Sequence, residues 1–143
     1  MANAYASGSA SFGKGAHCAT ITESMTLSSK DSGKVYFIGV CAAATTITLP
    51  SAKAGVHFKF INTALNSADV YIDTGAASGT APDIYGQTVG AASETISAKR
   101  YLEIENGNDA IGDQIDIISD GTNWFCTCVQ MADDSITGVD AVD

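Results

Sequence analysis

Four cysteines, two histidines and sixteen acidic residues are the groups here most able to bind a metal or move a proton. His17-Cys18, His57 and Cys126-Thr127-Cys128 are the candidate ligands. Zinc sites space their Cys pairs two to four residues apart on loops, and a single-residue spacer on a strand is less apt. Cys18, Cys41, Cys126 and Cys128 are therefore expected as small apolar packing groups. Cys126 and Cys128 would share one strand face, which is poor geometry for a disulfide. The carboxylates Asp69, Asp73, Glu103, Glu105, Asp113 and Asp116 lie in or beside strand-like runs and read as solvated strand faces. A pair of them could do glycosidase work only at a defined separation. No Ser-His-Asp pattern, phosphate-binding glycine loop or dinucleotide fingerprint is present. No catalytic, cofactor-binding or metal-binding residue is expected, and no cofactor.

One motif asks for closer reading. In Val70-Tyr71-Ile72-Asp73-Thr74-Gly75-Ala76 an apolar strand enters Asp-Thr-Gly-Ala, which resembles the active-site loop of retroviral-type aspartic proteases. The resemblance implies an all-β homodimer in which two Asp73 side chains share a proton, and Ala110-Ile111-Gly112-Asp113 is weakly similar to that family's second signature. Three features count against it. Ala77 to Pro82 lacks the large apolar residues that pack behind such a loop. The segment after Gly112 reads as strand where the family has a helix. No Gly-rich flap lies between the two signatures. Asp-Thr-Gly after a strand is also ordinary turn chemistry.

The elements that must position these groups are strands. Gln114 to Ser119 and Asn123 to Val129 flank Asp120-Gly121, a strong hairpin signal. A two-residue loop would set Ser119 opposite Thr122, Ile117 opposite Trp124 and Ile115 opposite Cys126; a three- or four-residue loop would change that register. The two-residue register gathers Ile115, Ile117, Trp124, Cys126 and Cys128 on a core face. Ile118, Phe125 and Val129 fall on the other face, which is expected to meet another layer, the arm, the tail or a subunit. The hairpin's sheet partner is expected to be Val35–Cys41 or Val56–Ile61. Thr20 to Leu27 alternates with an exception at Glu23. Val56, Phe58 and Phe60 point inward against outward His57 and Lys59. Ile84-Tyr85 and Thr95-Ile96 read as edge strands.

No useful helical stretch occurs, and turn signals recur at roughly 8–12 residues. The expected fold is all-β, a single β-sandwich or jelly-roll-like domain over residues 20–130. An extended Ala/Ser/Gly-rich arm over 1–19 would precede it, and an acidic tail over 131–143 would follow. The arm is either disordered or ordered on a neighbour through Tyr5 and Phe12. The tail, with Asp133, Asp134, Asp140 and Asp143 around Ile136, Val139 and Val142, is either disordered or a sheet-augmenting strand.

The net charge of −9 leaves no basic footprint for phosphates, so neither nucleic acid nor an anionic membrane is an expected partner. The first residues lack the charged start and apolar run of a signal peptide.

Thr46-Ile47-Thr48-Leu49-Pro50 through Gly55-Val56-His57-Phe58-Lys59-Phe60-Ile61-Asn62, followed by Ile115–Ser119, Asp120-Gly121 and Asn123-Trp124, resembles accessory virion proteins of tailed bacteriophages. The resemblance covers about residues 34–129. It implies a small sandwich domain of the head-decoration (cement), head-fibre or tail-fibre kind. A short chain without shaft repeats fits best a non-enzymatic decoration protein. Its partners would be the major capsid protein and itself, the latter in a homotrimer. It would be made in the host cytoplasm and placed on the outer capsid surface. The alternative is a receptor- or glycan-binding fibre module using Tyr36, Tyr71, Tyr85 and Tyr101 as platforms.

Overall fold

The computed structural model describes residues 17–77 and 79–142. Residues 1–16, with Tyr5 and Phe12, lie outside them. The strands are β1 (Cys18–Ile21), β2 (Met25–Thr26), β3 (Val35–Ile38), β4 (Thr45–Thr48), β5 (His57–Asn62), β6 (Val70–Asp73), β7 (Ile84–Gly90), β8 (Thr95–Lys99), β9 (Tyr101–Ile104), β10 (Gln114–Ser119), β11 (Trp124–Gln130) and β12 (Ile136–Val139). Apart from a single 3-10 turn at Ser29–Asp31, regular structure among the described residues is all strand.

The strands form two sheets packed as a sandwich. One has seven strands in the order β1-β3-β5-β10-β11-β7-β8, the other five in the order β12-β9-β6-β4-β2. Both are mixed. β1, β3 and β5 run parallel in the large sheet, while β2, β4 and β6 run parallel in the small one. The first half of the chain thus changes sheet at every strand and winds as three flattened coils. Parallel neighbours need a long crossover, and here the crossover is itself a strand of the opposite sheet. The second half adds antiparallel pairs, with β10 between β5 and β11 and β9 between β6 and β12.

The coil explains the exception at Glu23. The alternation Ile21, Glu23, Met25 is not one strand: β1 ends at Ile21 in the large sheet and β2 begins at Met25 in the small one. Glu23 lies exposed at the crossing. Cys18 to Ile21, whose first two residues fall at the end of the expected arm, form β1. Ile136–Val139, within the expected acidic tail, pairs with β9 of its own chain.

Both inner faces meet in one apolar core. Trp124, 0% exposed, lies 6.3 Å from Phe58 between ring centroids, and Tyr36 stacks on Phe60 at 5.7 Å. Ile47, Ile72, Leu102 and Ile136 face them from the small sheet. Val56, Phe58 and Phe60 are buried and His57 is exposed, as the alternation predicts.

The hairpin's partner is β5, the second of the two expected. Its register differs from the two-residue prediction. Ser119 pairs with Trp124, Ile117 with Cys126 and Ile115 with Cys128, which leaves a four-residue loop, 120–123. The cause is side-chain capping. Asp120 Oδ1 accepts from the backbone N–H groups of Thr122 and Asn123, both at 2.8 Å. Asn123 Oδ1 in turn accepts from the Asp83 N–H at 3.0 Å. Asp therefore holds a wider turn than a type I′ pair would. The slip is two residues, an even number, so every side chain keeps its face.

The Asn123 and Thr122 N–H groups hold the Asp120 carboxyl below its ordinary 3.8. The folded state therefore releases that proton more readily than the unfolded chain. Whatever stability the turn gains from the carboxylate is present above pH 3.8 and lost as pH falls through the lowered folded value. Asp120→Ala is expected to lower the melting temperature at pH 7 and to cost visibly less near pH 2. Paired thermal melts of both proteins at the two pH values measure this; an equal cost at both would mean the carboxylate charge contributes nothing.

Ile84-Tyr85 does not form an edge. β7 lies inside the large sheet, parallel to β11 on one side and antiparallel to β8 on the other. Its glycines are the reason. A Cβ on Gly86 would sit 2.0 Å from the Cys126 carbonyl oxygen, and one on Gly90 would sit 2.2 Å from that of Gln130. In the fold these glycines let two backbones approach. Thr95-Ile96 does lie on an edge strand, β8.

Candidate interaction surface

The groups with chemical potential are dispersed. Cys126 and Cys128 point inward from β11, whereas exposed Cys18 starts β1, four strands away. At about 4.8 Å per strand that is roughly 19 Å. His57 is exposed on the outer side of β5. All four cysteines are free, and no three His, Cys, Asp or Glu among the described residues converge on a point that could hold an ion. The Cys126 thiol beside it, together with burial, pushes the Cys128 thiol far up, so it stays protonated.

Asp73 ends β6 and is 7% exposed. Its Oδ1 accepts from the Gly75 N–H at 2.8 Å and from Arg100 Nε at 3.1 Å, and its Oδ2 accepts from the guanidinium at 3.3 Å. Arg100 also lies 4.7 Å over the Tyr101 ring. Asp73 is thus the anchor of a turn and of an ion pair. The neighbouring groove of about 570 Å³, lined by Thr48, Thr74 and Pro82 among others, carries no titratable side chain among its described walls.

Asp113 departs from the expectation of a solvated face. It is 1% exposed, and its two oxygens accept from the Met131 and Ala110 N–H groups at 2.7 and 2.8 Å. Glu103 is also buried, at 6%. A burial cost of this kind is tolerable only where the carboxylate is hydrogen-bonded. Asp109, which reads as a turn residue, accepts from Asn62 Nδ2, the Asn66 N–H and Asn66 Nδ2 at 2.8 to 3.3 Å. The sequence shows the members of this network only as polar connection and turn residues. Asp69 and Asp116 do make strand-face or loop contacts: Asp69 accepts from the Asn106 N–H, and Asp116 pairs with Lys59 at 3.0 Å.

Of the four tyrosines considered as platforms, Tyr36, Tyr71 and Tyr101 are buried, and Tyr85 is half-buried. Tyr85 stacks on Phe125 at 6.0 Å with an interplanar angle of 26°. That pair leads to the surface this molecule does present, the outer face of the seven-stranded sheet.

Strand registers resolve this face into three rows across the strands. The first runs His57, Ile118, Phe125, Tyr85; the second Cys18, Val35, Lys59, Asp116, Thr127, Gln87; the third Thr20, Phe37, Ile61, Gln114, Val129, Val89. The outer rows are largely apolar and the middle one holds the Lys59–Asp116 pair. Ile118 is 48% and Phe125 41% exposed. Between them lies a trough of about 370 Å³ bordered by His57, Asp116 and Thr127. Ile118, Phe125 and Val129 are visible in the sequence as the hairpin's second face. Tyr85 and Val89 join them only because β7 pairs with β11. The face can bury apolar area against another protein surface.

No protein-family model, no curated protein and no solved structure matches the chain.

Proposed function

We propose that this chain is a non-enzymatic virion structural protein, a decoration protein on the outer capsid surface of a tailed bacteriophage. The reading rests on the resemblance of residues 34–129. The observation that carries it is the open, three-rowed outer face of the large sheet. Apolar side chains left exposed on a sheet face serve association, while Asp73, Asp109 and Asp113 are occupied in turns and buried networks. Self-association would present several copies of the remaining surface to the major capsid protein. Linked copies bind a lattice far more tightly than one does. The surplus of acidic residues would keep decorated particles apart.

The test is copy number. In purified particles of the phage that encodes this chain, a quantitative gel is expected to show hundreds of copies, matching the capsid lattice. A handful of copies would place the protein in the tail or a fibre, and its absence would end the proposal.

A further inference from the structure

We infer that the outer face of the seven-stranded sheet is a two-fold interface with a second copy of this chain. The inference rests on the self-association part of the function proposed above and assigns it a surface and a symmetry, two-fold where the resemblance implies three. The face is self-complementary. Place a two-fold axis along the strands, above the gap between β5 and β10. It carries β5 onto β10 of the second copy, β3 onto its β11 and β1 onto its β7, by the strand order of the sheet.

Levels along the strands are kept, so each row meets itself. In the middle row Lys59 stands over Asp116 of the second copy, and Asp116 over its Lys59. Each already lies 3.0 Å from its partner within the chain, so the four charges form a closed alternating ring. In the first row Ile118 and Phe125 stand over His57 and Gly33 of the second copy. Gly33 donates its N–H to the His57 carbonyl at 2.8 Å and so lies at the level of that row. In the third row Phe37 meets Val129 of the second copy. Phe125 thus stands over a residue with no side chain, as interdigitating sheet faces require.

The size is adequate. Six strands and three rows span about 25 by 20 Å, or about 1,000 Å² buried over both copies, the lower bound for a specific interface. The dimer is therefore concentration-dependent. The C-terminal strand does not compete for the face, because β12 is held in the small sheet and Asp140 by Lys99.

Sedimentation equilibrium of the full chain across a concentration series tests this. The expected result is a mass rising toward twice 14.6 kDa. Lys59→Asp and Asp116→Lys should each weaken the dimer on the order of tenfold, and the double swap should restore it. Ile118→Lys should leave a monomer. Circular dichroism and thermal melts verify that each variant is folded, which its exposed position favours. A monomer at every concentration, a three-fold mass, or a dimer indifferent to Ile118→Lys would overturn the inference. None of these bears on particle copy number, so the functional reading fails or stands separately.

Discussion

Trp124→Ala is expected to lower the melting temperature by roughly 10–15 °C, from a loss of about 3–5 kcal/mol. Trp124 is the largest fully buried side chain and packs on Phe58, which links it to Tyr36 and Phe60. Removing it deletes the contacts of a whole indole and leaves a cavity that neighbours on two sheets can fill only by moving. Its Nε1–H is buried and has no hydrogen-bond acceptor. An unpaired buried donor costs about 1–3 kcal/mol. Trp124→Phe removes that donor and keeps a ring, so its cost should be far smaller, about 1 kcal/mol or less. Urea and thermal melts followed by far-UV circular dichroism separate the two variants. If Phe were as damaging as Ala, the indole N–H would be contributing and the apolar account of this core would be wrong.

Gly86→Ala should be nearly as severe, at about 3 kcal/mol or more, although it adds a single methyl group. The added Cβ would meet the Cys126 carbonyl oxygen at 2.0 Å and its carbonyl carbon at 2.9 Å, at a φ of +156°. Both neighbours are backbone, so no rotamer change relieves the contact, and β7 must part from β11. Gly107→Ala is the control. Gly107 also has a positive φ, +95°, but a Cβ there meets nothing within 4 Å. It should cost only the conformational penalty, about 1–2 kcal/mol. Comparable losses from the two variants in urea titrations would show that β7 and β11 separate easily, and that the close approach does not hold the sheet.

The candidate surface was half legible in advance. Ile118 and Phe125 stand out because they break an otherwise polar strand face, and a local pattern suffices to see that. Tyr85 gives no such signal. It belongs to the surface through a parallel pairing with β11, whose first partner residues, Ile84 and Trp124, are forty positions apart. The buried carboxylates are a parallel case. Asp113 reads as a solvated strand face, and only the Met131 and Ala110 N–H groups, from which its carboxylate accepts, make its burial tolerable.

By itself the sequence determined the all-β class, the positions of most strands and the inward set Ile115, Ile117, Trp124, Cys126 and Cys128. Each follows from period-two alternation and turn residues, which are local. Tertiary structure decided what alternation does not encode. A strand's two faces are the same whether its neighbour is parallel or antiparallel, and they are unchanged by a slip of two residues. Hence the four-residue turn at Asp120, set by two hydrogen bonds to one carboxylate, preserved every face while moving every pair. Hence also the three-coil winding from β1 to β6, in which consecutive strands belong to opposite sheets. That winding depends on which distant backbone each strand meets, and no residue within the strand records it.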